Sequence, residues 1–291
     1  MAPFRPISLL LIVFIQYVMR YAVLLPIIRS HGIEFQLSHF TFLCLVLSTT
    51  GIAAAGFING RKIIAQIAFL LGIYVIFKAG VPNLIMTYFA LTGMLLLYIF
   101  FYKNSFLVGN IIVALFFAIV PMLVLLDLLP IYRVYGRFLW ENGINFKFAI
   151  YWFSGVSAFL FLTALSCELI KDTEDFEDDN VTCDTRSFPF TMGTPYTKWT
   201  ISCINSVIMV ALSIIIYFFF LRSIAAWFSF FYILFLLIIP ISYINRRVHK
   251  AIVGNDFRKI LNLMKIVIFV GIAYNGVLLI IASSICLKYF P

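Results

Sequence analysis

Long apolar segments separated by short polar breaks dominate the pattern of hydrophobic and polar positions in this chain. A helix needs about 20 apolar residues to cross the ~30 Å hydrocarbon core of a bilayer. The pattern therefore predicts an all-α, polytopic membrane protein with about nine transmembrane helices in a single membrane domain, residues 1–291. The predicted spans lie near 7–29, 40–58, 63–80, 84–102, 106–130, 147–170, 200–221, 224–244 and 262–287.

Composition agrees with a chain that resides in the lipid bilayer. Of its 291 residues, 64% are apolar and 11% are charged, which is too little polar surface for a soluble domain. The segments between spans are too short for a nucleic-acid module, so no nucleic-acid partner is expected. The first apolar run has no small-residue cleavage site and is expected to remain as a span. Five scattered cysteines without C-x-x-C indicate neither a disulfide framework nor a zinc site.

Basic residues account for the formal net charge of +9. Most of them fall on segments that share a side with the N-terminus if every predicted span crosses the membrane. The positive-inside rule then predicts a cytoplasmic N-terminus and a periplasmic C-terminus. The basic cluster between the last two spans is interpreted as such a topology signal, with attraction of anionic lipid headgroups as the alternative. Its members are Arg246, Arg247, Lys250, Arg258 and Lys259.

Acidic residues are concentrated where the sixth span runs into a predicted acidic cytoplasmic loop, residues 171–199. Eight of the 12 acidic residues lie between 168 and 184. Helical spacing places Glu168, Asp172, Asp175 and Asp179 on one face, where their charges repel unless a cation lies among them. Mg²⁺ suits such oxygen ligands and binds through one or two carboxylates plus substrate phosphates. The pattern thus indicates a metal-bridged diphosphate at the mouth of a lipid-lined cavity, or alternatively a solvated acidic loop.

Two stretches around this loop carry a family resemblance. Lys171-Asp-Thr-Glu-Asp-Phe-Glu-Asp-Asp179, followed by Thr185-Arg-Ser-Phe-Pro-Phe-Thr-Met-Gly193, resembles the second aspartate-rich motif and downstream loop of the UbiA superfamily of intramembrane prenyltransferases. Residues 16–21 and 48–59 are similar to the first two spans of a Bacteroidota-type branch, close to geranylgeranylglycerol-phosphate synthase homologues. Residues 102–103 and 107–114 resemble that branch's fourth and fifth spans.

The resemblance implies a nine-helix fold in the bacterial inner membrane and transfer of a prenyl group from an isoprenoid diphosphate. In that family two aspartate-rich motifs hold Mg²⁺ against the diphosphate, which leaves with the electron pair of the broken C–O bond. The resemblance assigns the metal to Asp172, Asp175 and Asp179. It also implies a diphosphate contact from Lys103, for which a topology-setting lysine is the alternative, and Asn59 is kept from the family's substrate site. Arg61 lies where the family has cations and could cover a phosphate, and Tyr102 could line the cavity or be an ordinary interfacial tyrosine.

The first aspartate-rich motif and its loop are missing. Residues 56–63 keep only Asn59 of that motif, and no aspartate lies between Glu34 and Asp127. Prenyl transfer is therefore expected to be impaired, and whether the chain is an enzyme stays open. One hypothesis is a protein that still binds an isoprenoid diphosphate through Mg²⁺. The other is a catalytically inactive pseudoenzyme that serves protein partners as a membrane subunit or lipid-binding scaffold.

A charged residue inside the first span is a further candidate. Arg20 lies within an otherwise apolar run, and intramembrane charges often mark functional sites. Asp127 lies near the end of the fifth span at a similar predicted depth. A structural ion pair between them and a ligand contact are the two alternatives. A transporter is disfavoured because the spans lack paired broken helices and midplane charges other than Arg20.

Overall fold

Helices form every regular element in the computed structural model, which describes residues 6–34, 38–57, 62–78, 93, 107–177, 187–220 and 225–284. The all-α class predicted from the pattern is confirmed for these residues. Within the described ranges, six helices are long and apolar enough to cross a membrane, and two shorter apolar helices accompany them. The fourth predicted span, 84–102, lies outside the described residues apart from Gly93, so the count of nine stays a prediction.

The helices of the N-terminal half follow the predicted apolar runs. A π-helical turn, Met19–Leu24, joins α1 to α2, and a 3-10 turn, Leu125–Asp127, joins α5 to α6. The bounds are α1 Pro6–Val18, α2 Leu25–Arg29, α3 His39–Phe57, α4 Lys62–Lys78, α5 Val108–Val124 and α6 Leu128–Glu141. The helix continues past the predicted end of the fifth span because Pro130 occupies the first turn of α6, where its missing N–H leaves no hydrogen bond unmade.

The helices of the C-terminal half extend further than the apolar runs predict. The bounds are α7 Lys147–Glu177, α8 Phe188–Met192, α9 Thr194–Phe220, α10 Ala225–Ile233, α11 Ile239–Lys250 and α12 Gly254–Ser284. A π-helical turn, Leu234–Ile238, joins α10 to α11. The acidic segment therefore begins as helix, since α7 continues through Glu177, and the predicted loop 171–199 is helical at both of its ends.

The chain divides into two compact units, and it passes from one to the other within α5, after Leu115, and again within α7, after Ser157. The first unit comprises the described residues of Met1–Phe100 and Phe116–Ser157. In it, α3 packs along α4 and against α1. Ile52, Ala68 and Ile76 form an apolar cluster that Phe69 and Phe116 cover. The prediction of a single membrane domain stays a prediction.

The second unit comprises the described residues of Phe101–Leu115 and Ala158–Pro291. Its helices are joined by polar side chains within the apolar packing: Ser166 of α7 donates to Asn205 of α9 (3.0 Å), and Asn205 donates to Asn245 of α11 (3.3 Å). Ser166 and Asn205 are fully buried. Such bonds between helices satisfy polar groups that lipid cannot. They join α7, α9 and α11 in series.

Candidate functional site

Two of the predicted site residues lie within the described part of the chain. These are Asp172 and Asp175, both in the last two turns of α7. The remaining predicted site residues lie outside the described residues: Asn59, Arg61, Tyr102, Lys103 and Asp179. The described residues therefore supply the part of the site that α7 and its neighbours in the second unit contribute.

Asp172 is held by an asparagine from another helix. The Asn110 side-chain nitrogen, on α5, donates to Oδ2 of Asp172 at 2.7 Å. Asn110 is buried and Asp172 is half-buried. An amide that donates to a carboxylate makes a charge-assisted hydrogen bond, which is stronger than a neutral one. Because this bond uses one oxygen of Asp172, it restricts the carboxylate while the second oxygen can still serve as a ligand.

Asp175 lies on the same face of α7 as Asp172. A spacing of three residues places two side chains next to each other on a helix, and Asp175 is partly exposed like Asp172. Glu168, one turn earlier on that face, forms an ion pair with Lys171 (Nζ to Oε2, 3.4 Å). The predicted acidic face therefore exists as a helix surface, and Lys171 offsets part of its negative charge.

The other two acidic residues of this turn contact neighbouring helices. Glu174 is nearly buried and pairs with Arg258 of α12, with Nε 3.5 Å from Oε1. Glu177 accepts a hydrogen bond from the hydroxyl of Thr194, the first residue of α9, at 2.6 Å. Both residues therefore connect the end of α7 to the rest of the unit. The acidic segment thus separates into a face with Asp172 and Asp175 and a face that binds other helices.

The segment that follows the acidic stretch packs back onto α7. Phe190 of α8 meets Phe176 edge to face, with ring centroids 6.5 Å apart. Gly193 ends α8 with φ +82°, a conformation that favours glycine because it has no Cβ. Its carbonyl then accepts the first backbone hydrogen bond of α9, from the N–H of Thr197 at 3.2 Å. The glycine that closes the family-like loop motif is therefore required by the turn into α9.

The donor chemistry of this face suits Mg²⁺. Among the described residues, no three His, Cys, Asp or Glu side chains come close enough together to hold a metal ion. Mg²⁺ takes only one or two carboxylates from a protein when phosphate oxygens and water complete its shell. Asp172 and Asp175 are the residues of α7 that would hold it here. The third predicted ligand, Asp179, follows one turn later in sequence.

The first unit contains a buried ion pair that joins the first predicted span to the end of the fifth. Arg20 is fully buried in the π-helical turn, and its Nε lies 2.8 Å from Oδ2 of Asp127, which is also buried. Its guanidinium lies over the ring of Phe42, with Cζ 4.1 Å from the centroid. The structural ion pair, one of the two alternatives for Arg20, is confirmed. Gln16, four residues before Arg20, accepts a hydrogen bond from the hydroxyl of Thr49 at 3.1 Å.

Sequence reasoning gave no role to Asn110. The signal was available, because a polar amide inside a run that otherwise reads as apolar is costly in lipid unless another group pairs with it. The identity of the pairing group was not readable from spacing, since Asp172 lies 62 positions away. Thr194 was missed for the same reason, because its partner Glu177 belongs to a different helix.

Comparison of the chain with models of known protein families, with curated protein sequences and with solved structures finds no match. The family resemblance therefore rests on the motifs in the sequence alone.

Proposed function

We propose that this integral membrane protein is a UbiA-type, prenyltransferase-like protein of the bacterial inner membrane. It binds an isoprenoid diphosphate through Mg²⁺ at the acidic face of α7, with Asp172, Asp175 and Asp179 as the metal ligands. Bound Mg²⁺ would offset the charge of the diphosphate. Arg61 and Lys103 would contact the phosphates, with Asn59 and Tyr102 beside them. Prenyl transfer by the isolated chain is impaired because the first aspartate-rich motif is missing.

The observation that carries this proposal is the hydrogen bond from Asn110 to Asp172. It joins two stretches, 107–114 and 171–179, that each resemble the same family. A carboxylate that only balanced nearby basic residues as part of a solvated loop would not need a buried amide to restrict it. Asp172 is restricted in this way and remains half-buried beside Asp175, as a metal ligand at the mouth of an apolar cavity would be.

The second candidate function is a pseudoenzyme that acts as a membrane subunit or lipid-binding scaffold for protein partners. One specific observation favours it. The described residues bring no three metal-ligating side chains together, and the sequence lacks the first aspartate-rich motif that would complete a two-motif site. Under this alternative, the contacts of Glu174 and Glu177 with α12 and α9 are the main role of the acidic segment.

Binding of geranylgeranyl diphosphate to the purified full-length chain tests the proposal. Titration calorimetry with and without Mg²⁺ measures the affinity. We expect binding that EDTA abolishes and that Asp172→Asn and Asp175→Asn each weaken by at least ~10-fold, because loss of groups that hold or orient a metal costs about 10- to 100-fold in affinity. Incubation with a labelled donor and candidate acceptors should give little or no transfer, since each missing electrostatic group costs about 10²- to 10³-fold in rate.

Glu177→Gln is the matched control. It removes one negative charge from the same end of α7, but its carboxylate binds Thr194 on another face, so diphosphate binding should be unchanged. Equal loss in all three variants would assign the effect to overall charge rather than to a site. Absence of binding with or without Mg²⁺ would favour the scaffold, and rapid turnover would refute the impaired transfer.

A further inference from the structure

The connection between α11 and α12 exposes aliphatic side chains. Only residues 251–253 separate the two helices, and of these Ile252 is 77% and Val253 is 57% exposed. Two candidate membrane spans, Trp227–Lys250 and Gly254–Leu278, end and begin on either side of this connection. The connection lies beyond the predicted ends of both spans, at 244 and 262, and therefore faces water outside the hydrocarbon core.

Exposed basic residues surround these aliphatic side chains. Within two helical turns of the connection, α11 and α12 present five of them to solvent: Arg246, Arg247, Lys250, Arg258 and Lys259. Arg258 pairs with Glu174, and Arg247 donates to the hydroxyl of Tyr243 at 2.7 Å. The side chains of the other three basic residues form no ion pair with the described part of the chain. Their charge is consequently available to an anion from outside.

Side chains from neighbouring helices hold the connection in place. Lys198 of α9 donates from Nζ to the carbonyl of Ala251 at 2.6 Å and lies 5.7 Å from the centroid of the Phe257 ring. The hydroxyl of Ser202 and the His249 ring nitrogen Nε2 lie 2.9 Å apart. The backbone N–H of Asp256 donates to the carbonyl of Val253 at 2.9 Å. None of these contacts uses the side chains of Ile252 and Val253, which remain exposed.

We propose that this connection is a binding site for anionic phospholipid headgroups. Arg246, Lys250 and Lys259, which flank the connection on α11 and α12, contact the lipid phosphates. Basic residues at the membrane surface attract anionic lipid headgroups. The structure thus supports more than the topology signal that the basic cluster indicates in the sequence.

Lipid retention by the purified full-length protein tests this site. The protein is equilibrated in detergent with phosphatidylglycerol and phosphatidylcholine of matched chains, and native mass spectrometry counts the lipids retained. We expect a preference for phosphatidylglycerol that falls roughly 30-fold in Arg246→Gln/Lys250→Gln, because each basic residue contributes about a fivefold preference near an anionic surface.

Arg133→Gln/Arg137→Gln is the matched control, since it removes the same charge from exposed positions of α6 and should keep the preference. Arg246→Lys/Lys250→Arg should also keep it. A wild-type protein without preference, or an equal loss in the control, would overturn the proposal. Displacement of phosphatidylglycerol by inorganic phosphate would overturn it in favour of a free-anion site. Neither result depends on the isoprenoid diphosphate, so this proposal and the proposed function fail separately.

Discussion

Asn110 is the residue whose role the structure changes most. In the sequence it is one polar position within an apolar run, and in the second unit it fixes a carboxylate of the acidic face. Under the proposed function, Asn110 would position the metal ligand Asp172 without touching the metal or the substrate itself. Another hydrogen-bond donor at position 110 could therefore replace Asn110 in part, whereas Asp172 itself could not be replaced in this way.

We predict that Asn110→Ala weakens Mg²⁺-dependent diphosphate binding by about 10- to 100-fold, the usual cost of losing a partner that orients a metal ligand. Asn110→Gln should restore part of the affinity. Calorimetric titration of the purified variants measures this. Asn275→Ala is the control, because Asn275 is buried but its amide donates to Ile272 of the same helix. Unchanged binding in Asn110→Ala would make the hydrogen bond purely structural.

Arg20 and Asp127 are likewise two polar side chains from different helical segments that hold each other in place, but here both are charged. A buried ion pair adds little net stability, but removal of one partner leaves an uncompensated charge in an apolar environment. The stacking of the Arg20 guanidinium on Phe42 further restricts the pair. Together they connect the π-helical turn of the first span to the 3-10 turn that follows α5.

We predict that Arg20→Met destabilises the protein by about 3–5 kcal/mol, because Asp127 then remains buried without its partner. Arg20→Met/Asp127→Leu should recover most of this loss. Thermal unfolding in detergent, followed by circular dichroism, measures both. Arg137→Met breaks an exposed pair with Glu141 and should have little effect. Additive losses in the double variant would show that the two side chains do not act as a pair.

Helix length explains how α7 includes both a candidate membrane span and the acidic face that follows it. Its 31 residues extend about 46 Å at 1.5 Å per residue, which exceeds the ~30 Å hydrocarbon core by several turns. α12, also 31 residues long, has the same excess. The surplus turns are the acidic end of α7 and the basic start of α12, which meet through Glu174 and Arg258. The charged ends are thus held together outside the apolar part of the helices.

Close packing between α7 and α12 depends on one glycine. A methyl group on Gly271 would lie 2.6 Å from Cε1 of Phe159, whereas a methyl group on Gly276 would meet no atom within 4 Å. We predict that Gly271→Ala lowers stability by about 1–3 kcal/mol through overpacking, and that Gly276→Ala is neutral or stabilising through helix propensity. Thermal unfolding of the two variants provides the comparison. Equal stability would mean that Phe159 moves aside freely.

At the scale of the whole molecule, orientation in the membrane follows from the distribution of basic residues. Within the second unit, the pairs Glu177–Thr194, Glu174–Arg258 and Lys198–Ala251 bring the end of α7, the start of α9 and the connection between α11 and α12 to one end. Successive helices of this unit therefore alternate in direction, as successive membrane crossings require.

We predict that a reporter fused after Pro291 is periplasmic and that reporters inserted near Thr182 and at Ile252 are cytoplasmic, because basic residues favour the cytoplasmic side. Paired alkaline phosphatase and green fluorescent protein fusions measure the two sides. A cytoplasmic C-terminus would mean that the chain crosses the membrane an even number of times. Opposite sides for Thr182 and Ile252 would contradict the arrangement of the second unit.

The sequence alone determined part of the fold and part of the candidate site. Apolar run length and helical spacing are local properties of the chain, so they were sufficient to predict the all-α class, helices near most of the expected positions, and the shared face of Asp172 and Asp175. The pairing of Arg20 with Asp127 was also accessible, because few charges lie inside the spans and each needs a partner in lipid.

Tertiary structure decided which groups meet across helices. The partners of Asp172, Glu174 and Glu177 come from three different helices, and their identity depends on how each helix is rotated about its axis. That rotation is set by the packing of many apolar side chains and by polar contacts such as Ser166 with Asn205, none of which leaves a periodic trace in one segment. Spacing therefore predicts which residues share a face, and only the packed structure determines what that face touches.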